Sequence, residues 1–270
     1  MKIVTLAGGL GNQMFQYAFG RAWSPRVRYD LSWFRKVKKQ KGVTPRIYGL
    51  GAFNVRLRPA PAIFRLLAKK IDESPPGMFD LKYLDIPHGN IFGFFQSEKY
   101  FLHIRDELLR DFSLCLPLNA ANTLMLACIR ESKTPVSMHI RHGDFVKVAH
   151  IHPVQTPEYY MRAIDIIKSK VKNPHFFVFV EFSNELDWVQ RNIDFGNSDV
   201  TFVDINDTYN CVFDLELMKN CKHNIIANSS MSWWGAWLNE NPDKIVIAPK
   251  QWCSTDARPM DRIPDKWILL

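Results

Sequence analysis

The sequence predicts an α/β protein whose C-terminal half is a doubly wound parallel sheet. Three observations carry that prediction. After residue 134, short apolar runs alternate with helix-period segments at a regular pace. Polar side chains gather directly behind four of the five runs. The chain also opens on an apolar run that breaks into glycines and passes into a helical pattern.

In chain order, Lys2–Leu6 reads as a strand, Gly8–Gly11 as a tight turn and Asn12–Trp23 as the opening helix, with a second strand at Arg26–Tyr29. Ile63–Ile71 has the pattern of an amphipathic helix with basic flanks. Pro59, Pro61, Pro75, Pro76 and Pro87 punctuate a loop-rich middle, and Phe101–Phe112 returns to helical spacing. The connector over 115–134 places the boundary between two domains, 1–125 and 126–270. Beyond it, strands are expected at Val136–Ile140, Phe176–Val180, Val200–Val203, Asn224–Ala227 and Ile245–Ala248. Helices are expected at Pro157–Lys172, Glu185–Asn192, Val212–Asn220 and Ser230–Asn239. A parallel sheet of this kind binds ligands outside the carboxyl ends of its strands. That singles out His139–Asp144, Phe182–Glu185, Asp204–Asp207, Asn228–Ser232 and Pro249–Trp252.

Composition narrows the classes. With 47% hydrophobic residues the chain has ample core and is not disordered. Five scattered cysteines with no CxxC pair give no zinc ribbon or redox motif and suit reduced thiols. No apolar stretch is long enough to span a membrane, and the N-terminal run is too short for a signal peptide, so a cytoplasmic protein is expected. The charge is lopsided. Residues 1–74 carry 15 Lys and Arg against 3 Asp and Glu, whereas the remainder is net acidic. Such a half suits nucleic acid, anionic lipid or an acidic substrate. No nucleic-acid motif or aromatic stacking platform accompanies Arg35–Lys41, which leaves peripheral contact with an anionic membrane, or an ordinary solvated face.

Three motifs carry chemistry. In Gly8-Gly9-Leu10-Gly11-Asn12-Gln13-Met14-Phe15-Gln16 the glycines permit close backbone approach, and Asn12 and Gln13 add amide donors, although a bare glycine turn can be structural. In His139-Ile140-Arg141-His142-Gly143-Asp144, Arg141 at a strand end offers a planar fork to a diphosphate, or an ion pair to Asp144. In Asn228-Ser229-Ser230-Met231-Ser232-Trp233-Trp234-Gly235-Ala236-Trp237, more hydroxyls than a cap requires stand at a helix N-terminus suited to phosphate. The tryptophans there pack the helix or flank a sugar. Asp214, near another helix start, serves the helix dipole or accepts from a guanine. No DxD and no metal-ligand spacing occurs, so a leaving diphosphate would be neutralised by Arg and helix N-termini.

Together these motifs resemble family 11 glycosyltransferases, the α-1,2-fucosyltransferases. The resemblance extends through Gly93–Phe101, Phe176–Asp187 and Ile245–Trp252 and so covers nearly the whole chain. It implies a GT-B-like architecture of two facing Rossmann-like domains with the donor held by the C-terminal one. It further implies metal-independent, inverting transfer of L-fucose from GDP-fucose to the 2-hydroxyl of a terminal β-galactoside, in cell-surface glycan biosynthesis. A different acceptor, or GDP-sugar binding without catalysis, is the alternative. Arg141 would hold the β-phosphate, with His139 and Asp214 near the guanine or ribose. Gly9, Gly11, Gln13, Ser183, Asn228, Ser229, Ser230 and Ser232 complete the implied donor site, and Asn12 would reach the reaction centre from the other domain. Asp144 is the candidate base, with Asn12 or the departing phosphate as rivals. The chain departs from the family pattern in carrying His142 for a second Arg, in Ser183-Asn184-Glu185, and in a shortened loop after Trp23.

Overall fold

The computed structural model describes residues 1–37, 46–142, 153–180, 183–254 and 261–270. The chain forms two compact units. The first is Met1–Leu116 with residues 261–264, and the second is Pro117–Pro259 with Asp265–Leu270. A division at 125/126 falls inside the helix α6 (Ala120–Glu131), which belongs to the second unit because Leu126 and Ile129 pack into that unit's core.

The first unit is built on four parallel strands, β1 (Lys2–Thr5), β2 (Arg28–Asp30), β3 (Lys70–Asp72) and β4 (Gly89–Phe92), in the order β2-β1-β4-β3. Helix α1 (Leu10–Trp23) buries eleven residues, among them Met14, Phe15, Tyr17 and Phe19, which fits its apolar composition. Phe19 stacks on Phe95 at 3.8 Å and meets Tyr100 edge-on. Short helices follow at α2 (Ser32–Val37), α3 (Ala62–Leu67), α4 (Lys82–Asp85) and α5 (Arg105–Asp111). The amphipathic helix expected to reach Ile71 ends at Leu67. Ala68 turns to extended backbone, and Lys70–Asp72 pairs in the sheet with β4.

The second unit carries six parallel strands, β5 (Pro135–His139), β6 (His175–Phe179), β7 (Asp199–Val203), β8 (His223–Ile225), β9 (Val246–Ala248) and β10 (Ile268–Leu269). Their order, β10-β9-β8-β5-β6-β7, is that of a dinucleotide-binding sheet. Alternation along the central strands sends Val136, Met138, Phe176 and Val178 to α7 (Pro157–Lys170) and α8 (Ser183–Asn192). Phe177 and Phe179 point the other way, to α6 and α9 (Cys211–Lys219). Both faces are thus covered, so β5 is buried at every position and β6 reads as an unbroken apolar run from Phe176 to Phe179. Helix α10 (Ser230–Leu238) packs so tightly on α9 that a Cβ on Gly235 would lie 2.9 Å from that of Met218. Trp233, Trp234 and Trp237 are all buried, in keeping with the packing role. The fold is therefore α/β and GT-B-like in having two Rossmann-like parallel sheets.

Candidate functional site

In the second unit the strand order reverses between β5 and β8. Connections from β5 run toward β6 and β7, those from β8 toward β9 and β10, and the crevice lies outside the carboxyl ends of this pair. His139 closes β5 and Arg141 follows it. Asn228 and Ser229 follow β8 and lead into α10. Two consecutive tyrosines of α7 hold these strand ends. Tyr159 donates to the Ile226 carbonyl at 2.6 Å, and Tyr160 to that of His139 at 3.3 Å. Neither tyrosine stands out in the sequence, because each contact spans more than twenty residues.

Two polar atoms at this switch point are buried without a hydrogen-bond partner among the described residues, Nδ1 of His139 and Oδ1 of Asn228. Buried polar atoms are ordinarily paired, so both mark a place where a polar ligand fits. Burial, and then the Arg141 charge, push the His139 pKa down to about 3, so the imidazole is neutral at neutral pH. The Asn228 amide nitrogen donates to the carbonyls of Pro153 (2.9 Å) and Trp252 (3.0 Å), which fixes the side chain with its oxygen elsewhere. At the start of α10, Ser229 is the N-cap residue, yet its side chain makes no capping bond. The first-turn N–H groups and the helix dipole remain suited to an anion. The Ser232 hydroxyl turns back to the Ser229 carbonyl at 3.2 Å, whereas Ser229 and Ser230 are half-buried.

Asp214 sits in the first turn of α9, where burial raises its pKa to about 7 despite a 2.7 Å bond from Asn206. Asn206 exchanges amide hydrogen bonds with Asn122 of α6, so the carboxyl caps a buried polar cluster. Sequence reading missed Asn122, whereas Asn206 falls within the polar set Asp204–Asp207 behind β7, with no role given to it there. His142, the departure from the family pattern, stacks on Trp188 of α8 at 4.5 Å and donates its backbone N–H to buried Glu185 at 2.8 Å. Gly143 and Asp144 lie outside the described residues, as does the side chain of Ser183, whose backbone begins α8.

The glycine turn belongs to the first unit. Gly8 has φ +77°, and a Cβ there would fall 2.9 Å from the Asn12 amide nitrogen. Gly9 is the α1 N-cap residue and Gly11 is buried in the first turn. Gln13 is fully buried and its amide is engaged by backbone, donating to Gly8 and Ile47 and accepting from Gly49. Its side chain therefore holds the turn to the 46–49 segment. Gln16 likewise joins Ala7 to Gly93. Asn12 is half-buried and accepts from Gln96. The last residues of all four strands, Thr5, Asp30, Asp72 and Phe92, line one cavity of about 240 Å³ together with Trp33.

Among the described residues no group of three His, Cys, Asp or Glu side chains is placed to hold a metal, and no helix is long and apolar enough to cross a membrane. The sequence pattern of Glycosyl transferase family 11 matches residues 77–268.

The chain belongs to glycosyl transferase family 11.

Relatives similar over nearly the whole length include an "Alpha-1,2-colitosyltransferase" of Escherichia coli, 32% identical over 98% of this chain and 97% of the relative. A second is the "O-antigen biosynthesis glycosyltransferase WbnK" of Escherichia coli, 31% identical over 98% and 99%. Human "Galactoside alpha-(1,2)-fucosyltransferase 1" is 27% identical over 72% of this chain and 57% of its own. Among solved structures, Arabidopsis thaliana FUT1, as its R284K mutant in complex with GDP, covers 98% of this chain and 72% of its own at a TM-score of 0.51 and 9% identity. That likeness concerns the fold alone. The switch-point residues of the second unit stand where a parallel sheet of this order binds its ligands.

Proposed function

We propose that this glycosyltransferase makes α-1,2 linkages, moving L-fucose from GDP-fucose to the 2-hydroxyl of a terminal β-galactoside with inversion and without a metal ion. The observation that carries the reading is the pair of unpartnered buried atoms, His139 Nδ1 and Asn228 Oδ1, set between Arg141 and the uncapped start of α10. A nucleoside diphosphate suits this arrangement. Arg141 and the α10 N–H groups neutralise the departing phosphates, with the Ser229 and Ser230 hydroxyls as further donors. The neutral His139 ring and Asn228 meet the ribose or base, and Asp214 stands behind them as a structural carboxyl or a guanine acceptor.

Single displacement needs a base on the face opposite the leaving group. Asp144 takes that role in this reading, and Asn12 holds the reacting hydroxyl. Gly9 and Gly11 allow close approach at the turn, with Gln13 positioning it. The cavity where Thr5, Asp30, Asp72 and Phe92 end their strands, with Trp33 beside polar side chains, suits a sugar ring and supports an acceptor subsite in the first unit. A second reading rests on the 32% identical colitosyltransferase. Colitose is fucose without its 3-hydroxyl, so the same site would accept it if nothing there demands that hydroxyl.

The test is GDP release with EDTA present, from GDP-fucose and GDP-colitose, with lactose, lacto-N-biose or no acceptor, for wild type and Arg141→Ala. Acceptor-dependent release from GDP-fucose that survives EDTA and falls about a hundredfold or more in Arg141→Ala is the expected result. Faster turnover of GDP-colitose would move the assignment to the second reading. Loss of activity in EDTA, restored by a divalent ion, would overturn the metal-free mechanism.

A further inference from the structure

Helix α3 inverts the usual arrangement of a surface helix. It buries none of its six residues, and Ile63, Phe64, Leu66 and Leu67 are 56%, 43%, 80% and 75% exposed. Its cation is the inward anchor, with Arg65 paired to Asp30 at 2.9 Å. Single exposed apolar side chains are ordinary, but four on two turns form a patch that marks a contact surface.

The approach to α3 is cationic. Residues 58–60 run parallel to β2, with Tyr29 donating to the Arg58 carbonyl and Ala60 to that of Tyr29. Arg58 is four residues before Ala62 and so no more than about 14 Å from the helix start. With Lys2, Arg26, Arg28 and the chain's first residue, Met1, it lines a cavity of about 460 Å³. No acidic side chain among the described residues lines that cavity, although Asp85 acts on Lys2 from outside it. Lys69 and Lys70 follow on the other side of α3.

We propose that the first unit docks on an anionic lipid bilayer along its β2 edge. The apolar side chains of α3 enter the acyl boundary, and the cavity ringed by Lys2, Arg26, Arg28 and Arg58 receives phospholipid phosphates. Charge selects this occupant over a second copy of the chain. A two-fold dimer through α3 sets the same patch on both copies face to face, which brings together the cations beside it, Lys69 and Lys70 after the helix and Arg58 before it, from both copies. An anionic surface complements the same charge.

The test is vesicle co-sedimentation of the full chain with phosphatidylcholine alone and with about one third phosphatidylglycerol. Wild type is expected to bind the anionic vesicles at least about tenfold better than the neutral ones, and less as salt rises. The double variants Leu66→Asp with Leu67→Asp, and Arg26→Ser with Arg58→Ser, are each expected to weaken binding about tenfold or more. Both should keep wild-type circular dichroism and GDP release on a soluble acceptor, since none of the four residues belongs to the proposed donor or acceptor site. Equal binding to neutral vesicles, or no binding to anionic ones, overturns the proposal. So does inorganic phosphate held at the cavity without vesicle binding, or a dimer that the leucine variant dissolves.

Discussion

Gln96 donates its amide nitrogen to Oδ1 of Asn12 at 2.9 Å, and its own oxygen accepts from Nε of buried Arg262 at 3.2 Å. The contact decides which way the Asn12 amide faces. With Oδ1 committed to Gln96, the nitrogen lies toward Gly8, where a Cβ would come within 2.9 Å of it. If Asn12 holds the reacting hydroxyl, its orientation matters for turnover more than for donor binding. Gln96→Leu is expected to lower kcat about tenfold or more while leaving the KM for the GDP-sugar within about twofold. Steady-state kinetics read both constants. A rise in donor KM at unchanged kcat would place Asn12 in ground-state binding instead.

His139 and Asp214 shift in opposite directions, and their effects on stability cancel over a definite pH window. Burial, and then Arg141, hold His139 down at about 3 against an ordinary 6.5, whereas burial, helped by Asp207, lifts Asp214 to about 7 from 3.8. Between about pH 4 and 6.5 the unfolded chain binds a proton at His139 that the folded chain refuses. In the same window the folded chain keeps a proton at Asp214 that the unfolded chain releases. Asp214→Asn removes one side of this balance. Relative to wild type, its unfolding free energy should fall by up to ~1.4 kcal/mol per pH unit on acidification from 6.5 to 4. His139→Gln should show the opposite relative slope, losing stability as pH rises through that range. Urea melts at several pH values measure both, and parallel profiles for all three proteins would contradict the argument.

The second unit was legible for a physical reason. Strands buried on both faces are largely apolar, and Phe176–Phe179 and Val246–Ala248 announce β6 and β9 in that way while Val136 and Met138 mark β5, whereas the two-residue β10 offers too little pattern. The first unit hides its sheet better. Lys70–Asp72 is a three-residue strand with polar ends, and Gly89-Asn90 opens β4 with residues that ordinarily mark turns. The candidate site divides similarly. Arg141, Asn228 and the serines of α10 stand directly behind strands, where the topology of a parallel sheet already points. Tyr159, Tyr160 and Asn122 act on partners 21 to 84 residues away, so no local pattern reveals them, and Asn206 is marked only by its place behind β7.

His142 replaces a second arginine of the family pattern, and the structure gives it a packing role. Its ring stacks on Trp188 at 26° to the indole plane, while the contact to Glu185 comes from the backbone and survives any substitution except proline. A guanidinium stacks on indole as well as imidazole does. His142→Arg is therefore expected to keep kcat/KM within about threefold of wild type and to leave Tm nearly unchanged. A gain of a hundredfold would instead mean that the missing arginine had been a direct contact to the donor.

Asn228 joins the stability of the second unit to the proposed donor site. Its nitrogen ties Pro153 to Trp252, and its oxygen, without a partner among the described residues, marks the proposed ligand position. Asn228→Ala leaves two carbonyls without their donor and is expected to cost about 1–3 kcal/mol of stability. Asn228→Asp retains the shape but sets a carboxylate against the Pro153 and Trp252 carbonyls and a negative charge near the diphosphate. It should weaken GDP binding more than the alanine variant does, by about tenfold or more. Calorimetric titration of GDP into both variants, below their melting temperatures, separates the effects. If the aspartate variant binds GDP as tightly as wild type, the phosphates lie elsewhere, and the switch point of the second unit loses its assignment as the donor site.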